Sequence, residues 1–138
     1  MFLAAGISLC HIVNNRRDLE YDVQVLEFSE RPWGSYQVLH STAAAQVKEI
    51  KVRAGSRLSY QTHQKRAEHW FIVQGPAIVT IDGQTKNLAT GESVDIGIGV
   101  AHRMAAPDEN DVVFIEVQTG TYFGEDDIVR LEDDFRRN

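Results

Sequence analysis

Cys10 is the only cysteine in the chain, so no disulfide can close within it. That usage fits a reducing compartment, and a cytoplasmic location is the expectation. A continuous basic stripe is also missing. Lys and Arg number 14 against 20 Asp and Glu, a net charge of −6, and nothing in that balance neutralises a run of phosphates. Nucleic acid and anionic membrane are therefore not expected as partners. Long apolar runs are lacking too. The opening MFLAAGISLC is too short to span a bilayer, has no basic n-region, and reads as an edge strand or a short packed segment. No internal repeat or low-complexity segment stands out. Gly97-Ile98-Gly99 has no βαβ pattern around it, which leaves it a turn rather than a dinucleotide loop.

What is present suits one domain. At 138 residues, 43% of them hydrophobic, the chain has room for a single sizeable core. Residues 1–20 read as a lead-in segment, of which HIVNNRRDLE (11–20) is polar, a loop or short helix with a solvated His11, and residues 21–138 as the domain. Strand-like runs follow one another: YDVQVLEF, then RPWGSYQVL after a Pro-Trp-Gly turn, with Trp33 as a packing residue and His40 on the surface. AQVKEIKVRAGSRL alternates apolar and charged residues, one face toward a core and the other solvated or lining a cavity. AIVTI and QTKNL flank Asp82-Gly83, the favoured type I′ hairpin turn. ESVDI and VVFIEVQ are further strands. GEDDIVRLEDDF is expected as a short helix with acids in its first turn. Many short strands with Gly, Pro and Asp turns every eight to twelve residues indicate an all-β sandwich or barrel.

One stretch organises the chemistry. In GSRLSYQTHQKRAEHWFIVQG, from Gly55 to Gly75, the two-residue period puts Ser59, Gln61 and His63 on one strand face. A polar turn over Gln64–Ala67 then returns Glu68 to the same spot. His102 comes from GESVDIGIGVAHRM. Two imidazoles, a carboxylate and an amide oxygen make a plausible shell for one divalent cation. His69 neighbours Glu68 and should point the other way. Trp70 and Phe71 read as barrel packing, with Trp70 on the face of Glu68.

These residues carry a family likeness. Gly55, Gln61, His63, Glu68 and Gly75 fit the intervals of the first cupin motif, with Gln61 where most cupins have histidine. Gly91, Gly99 and His102 fit the second, with Gly97 at the proline position and Ala106 at the asparagine position. More narrowly, RPWGSYQVL (31–39), Gln61-x-His63, RAEHW (66–70), VAHRM (100–104) and VQTGTYFGEDDIVRLED (117–133) resemble the C-terminal domain of type II phosphomannose isomerases. Together they cover nearly everything from residue 30 onward. The resemblance implies a double-stranded β-helix (jelly-roll) barrel, a bound divalent metal and interconversion of mannose 6-phosphate and fructose 6-phosphate. Pairing through the sheets into a homodimer is a further expectation from it. Two departures stand out. Gln64 and Lys65 occupy positions that are histidines in the family, and these 138 residues hold no nucleotidyltransferase half, so GDP-mannose synthesis is not expected of them.

Aldose–ketose isomerisation moves a proton between C2 and C1 while charge builds on an enediolate, which a metal on O1 and O2 stabilises. Gln61, His63, Glu68 and His102 are the expected ligands. Zinc is the first expectation, with manganese, cobalt, nickel or iron compatible. Glu68, Lys65 and Arg66 are candidates for catalysis, Lys65 only if burial and a nearby cation lower its pKa. Arg57, Arg103 and Arg130, with Arg66 and Lys51 as further options, are candidates for the phosphate. Two other readings stand beside the isomerase. One is a non-catalytic sugar or sugar-phosphate binding cupin, motivated by Gln64 and Lys65. The other is an iron(II) oxygenase built on His63, Glu68 and His102, against which Gln61 argues.

Overall fold

The computed structural model describes residues 25–137, and the lead-in, His11 and the first part of YDVQVLEF lie outside them. Among the described residues there are eleven strands and no helix: β1 (Glu27–Arg31), β2 (Gly34–Ser41), β3 (Ala45–Val52), β4 (Tyr60–Thr62), β5 (Arg66–Gln74), β6 (Ala77–Ile81), β7 (Gln84–Leu88), β8 (Ser93–Ile96), β9 (His102–Ala105), β10 (Val112–Gly120) and β11 (Val129–Glu132). They form two antiparallel sheets, ordered β1-β2-β3-β10-β5-β8 and β11-β4-β9-β6-β7. After β3 the chain passes back and forth between the sheets: β4 in the second, β5 in the first, β6 and β7 in the second, β8 in the first, then β9, β10 and β11 in alternation. This winding is the all-β cupin jelly roll. It brings β4, β5 and β9, distant in sequence, to one end of one interior.

The period of two decides what faces inward. On β5 and β10 it buries Trp70, Ile72, Val112 and Phe114, each at 1% exposure or less, against Val79 and Met104 of the opposite sheet. Fully burying side chains of this size stabilises by about 1.5–3 kcal/mol each. The hairpin at Asp82-Gly83 forms as expected. Both residues have positive φ, 48° and 77°, and Ile81 pairs with Gln84 across a type I′ turn.

Three local expectations are corrected. GEDDIVRLEDDF holds no helix. Val129–Glu132 adds β11 to the edge of β4, and Asp133 receives the Phe135 and Arg137 N–H groups in a turn. So short a segment is marginal as a free helix, and pairing with an open strand edge satisfies its backbone instead. The polar turn after His63 is shorter than read, because β5 begins at Arg66. Phe71 faces outward and is 43% exposed, one residue out of phase with buried Trp70.

Candidate metal centre and cavity

His63, Glu68 and His102 converge. Their candidate ligand atoms all lie within 4.8 Å of one another, and all three side chains are buried. His63 leaves the end of β4, Glu68 lies on β5 in the other sheet, and His102 opens β9. The turn over Gly97–Val100 ties the two histidines together. The Gly99 N–H donates to the His63 carbonyl at 2.7 Å, and the Val100 carbonyl accepts from His102 Nδ1 at 2.8 Å. Gly99 has φ 78°, a conformation that favours glycine at this turn.

Hydrogen bonds orient both rings. His63 Nδ1 donates to the Asp127 carbonyl at 2.7 Å, as His102 Nδ1 does to Val100. Each ring therefore turns a lone pair on Nε2 toward Glu68, the tautomer that a metal-binding histidine uses. His63 Nε2 lies 3.1 Å from Glu68 Oε1, and His102 Nε2 lies 3.6 Å from Glu68 Oε2. Donors about 2.1 Å from one ion, at tetrahedral to octahedral angles, are about 3.0–3.4 Å apart, so the His63 spacing falls in that range and the His102 spacing is about 0.2 Å wider. His102 Nε2 is buried with no hydrogen-bond partner, an orphan that a cation would satisfy. Burial lowers the His102 pKa, with Glu68 acting against it, so the ring is neutral and able to ligate at pH 7. Burial alone would raise the Glu68 pKa. The groups around its oxygens, His63, His102 and Arg66, outweigh it and hold the carboxyl below the ordinary carboxylate range. The residues present fit a divalent ion.

Gln61 is the direct cross-strand partner of His102, so both project from the same sheet face. Its Oε1 accepts from Ser59 Oγ at 2.8 Å. Arg66 is buried beside the triad, Nε donating to Glu68 at 3.0 Å and Nη2 to His63 Nε2 at 3.3 Å. Next to these lies a cavity of about 340 Å³, whose lining includes Gln61, Arg66, Arg130, Lys48 and Glu116. Trp33, expected only to pack, is buried and lines it as well.

Other candidates fall elsewhere. Lys65 sits exposed in the turn after His63, its amine over the Tyr122 ring, outside the cavity lining. Arg103 alternates with His102 and so turns to the far face of the sheet, where it donates to the Leu58 and Glu132 carbonyls. Arg57 is on the surface, paired with Asp134 at 2.7 Å and Glu132 at 3.1 Å. Lys51 is exposed beside Asp111. None of these four lines the cavity. His69 points outward to Asp95, as its position next to Glu68 requires.

Two polar residues of the interior are absent from the sequence reading. Glu116 and Lys48 are cross-strand partners on β10 and β3, both buried and both lining the cavity. Trp70 Nε1 bridges Glu68 Oε2 at 2.9 Å and Glu116 Oε2 at 3.1 Å, and Gln118 donates to the other Glu116 oxygen. Burial, then the nearby Glu68 carboxylate, pushes the Glu116 pKa up to about 8. Lys48 pairs with Glu125 at 2.6 Å. The one available signal was the two-residue period in VVFIEVQ, which puts Glu116 and Gln118 on the face of Phe114.

Residues 15–133 match the family model described as mannose-6-phosphate isomerase C-terminal. The chain belongs to this family. Its relatives include the alginate biosynthesis protein AlgA of Pseudomonas aeruginosa, 50% identical over 107 residues, 78% of this chain and 22% of that protein. A mannose-1-phosphate guanylyltransferase of Salmonella montevideo is 47% identical over 108 residues, 78% of this chain and 23% of that protein. The chain thus spans less than a quarter of the length of these relatives. Among solved structures, an RmlC-like cupin from Shewanella frigidimarina aligns with TM-score 0.65 at 21% identity, covering 77% of this chain and 91% of that one. The capsular polysaccharide assembling protein CapF of Staphylococcus aureus aligns with TM-score 0.69 at 19% identity, covering 86% and 36%. At these identities the two structures speak for the cupin fold of this family member.

Proposed function

We propose that this mannose-6-phosphate isomerase C-terminal family member is itself a metal-dependent aldose–ketose isomerase that converts mannose 6-phosphate and fructose 6-phosphate. The observation that carries the reading is the buried His63–Glu68–His102 triad, with both Nε2 atoms turned toward Glu68, behind Gln61 and Arg66, which line a cavity large enough for a small ligand. His63, Glu68 and His102 would hold a divalent ion, zinc first, with Gln61 beside them as a fourth donor. When bound, such an ion supplies Lewis-acid stabilisation of negative charge on the two sugar oxygens. Arg66 holds the Glu68 carboxylate in place and brings positive charge to the same wall. Proton transfer between the two carbons needs a base that is not tied up as a metal ligand. Glu116, which lines the cavity and accepts from Trp70 and Gln118, is the candidate in its ionised form, which its pKa of about 8 makes increasingly available above neutral pH.

The replacement of family histidines by Gln64 and Lys65 does not weaken this reading. Both side chains are exposed and outside the cavity lining, so no interior proton-transfer group is lost there. A homodimer is part of the proposal. Phe28 and Phe71, exposed on the outer face of the six-stranded sheet, are apolar surface that a second copy would cover. Sedimentation at micromolar concentration should give twice the chain mass, and a monomer would remove that part.

The test is a coupled assay of mannose 6-phosphate conversion on protein reconstituted with zinc, cobalt or manganese. Turnover is expected, with a loss of at least 1,000-fold in His102→Ala. Fully metallated, folded protein that converts no hexose phosphate would leave only sugar-phosphate binding, the non-catalytic reading.

A further inference from the structure

The cavity holds more cations than carboxyls inside an acidic molecule. The chain carries a net charge of −6, yet Arg31, Lys48, Arg66, Arg130 and Arg137 line this one space against Glu30, Glu116 and Glu125. Three of the five are already matched: Lys48 pairs with Glu125, Arg66 with Glu68, and Arg137 with Asp133. Arg31 and Arg130 have no carboxylate partner among the described residues. Arg31 donates only to neutral oxygens, the Glu30 carbonyl at 3.5 Å and the Tyr36 hydroxyl at 3.3 Å. Arg130 Nε is buried with no hydrogen-bond partner at all. A desolvated guanidinium N–H without an acceptor is costly and strongly favours an anion that can supply one.

The register fixes where that anion would lie. Arg130 pairs with Gln61, and Gln61 with His102, so the three stand in one row across β11, β4 and β9 on the cavity side. Two strand spacings, about 10 Å at the backbone, separate Arg130 from His102. In an open-chain hexose 6-phosphate, the phosphoryl group sits at the opposite end of the carbon chain from O1 and O2. A molecule with its oxygens at the triad would therefore lay its phosphate toward β11.

We propose that Arg130 and Arg31 form the phosphoryl subsite of this cavity and select a terminal phosphate monoester over the unphosphorylated sugar. The choice of ligand rests on the isomerase reading, whereas the anion site itself does not. Arg57 and Arg103 have no role in it.

The test uses the full metal-free chain, with inorganic phosphate, mannose 6-phosphate and mannose as probes in titration calorimetry. Phosphate and mannose 6-phosphate should bind and mannose should not. Arg130→Gln and Arg31→Gln should each weaken binding at least tenfold. Arg130→Lys should recover part of the loss, and Arg57→Gln should change nothing. The unfolding midpoint of each variant separates lost binding from lost folding. His102→Ala should bind phosphate as the wild type does. Absence of turnover together with Arg130-dependent binding would sink the isomerase reading and support the subsite. Wild-type affinity for phosphate and mannose 6-phosphate in both glutamine variants would overturn it, as would no binding of either probe to the wild type.

Discussion

Glu116 shows what single residues contribute and how far they can be read in advance. Its carboxyl is pushed up to about 8 in the fold, against about 4.3 for an unperturbed glutamate. The folded state therefore keeps a proton that the unfolded chain gives up. The resulting stability is fully present below about pH 4.3 and is lost as pH rises through about 8. Comparing unfolding midpoints of the metal-free wild type and Glu116→Gln from pH 5 to 9 isolates this effect. The wild type should lose stability relative to the variant as pH rises, and parallel pH profiles would contradict it. His102 works in the opposite sense: its lowered pKa costs stability as pH falls below about 6.5, equally in both proteins. The metal-ligand candidates were legible because His63, Glu68 and His102 sit at motif spacing. Glu116 and Lys48 were not. A lone glutamate in VVFIEVQ reads as one more residue of a buried strand, and Lys48 breaks the alternation that would have marked β3's inner face.

At the scale of elements, strands and tight turns were readable and the final segment was not. Asp82-Gly83 declares its hairpin through local backbone preference alone. GEDDIVRLEDDF has acids suited to a helix start, but tertiary pairing outcompetes that preference. Its Asp127 carboxylate accepts the Gln64 and Lys65 N–H groups at 3.2 and 2.9 Å, and its Asp127 carbonyl holds His63. Such contacts are long-range, and no local pattern encodes them. Arg57 and Arg103 were misplaced for the same reason: their acidic partners come from β11 and the turn after it. Two glycines give a graded test. At Gly120, φ is 150° and a Cβ would stand 2.2 Å from the Lys65 carbonyl oxygen. Main chain cannot swing aside, so Gly120→Ala should cost about 3 kcal/mol or more. At Gly83, φ is 77° with open space around it, so Gly83→Ala should cost about 1–2 kcal/mol. Urea denaturation of the two variants should give this order, and equal losses would contradict it.

For the whole molecule, the consequence of alternating between sheets is that residues from β4, β5 and β9 meet at one interior wall, beside a cavity lined by more cations than carboxyls. The cupin winding was legible from turn spacing and motif intervals, because those record which strands must cross. The cavity's charge was not, because net charge says nothing about which cations face inward. The triad is the point on which fold and function join, and calorimetric titration of zinc into the metal-free chain tests it most directly. One ion per chain is expected in the wild type, with affinity reduced at least 100-fold in His102→Ala. Equal affinity in the two proteins, or no binding by the wild type, would contradict a metal centre at His63, Glu68 and His102.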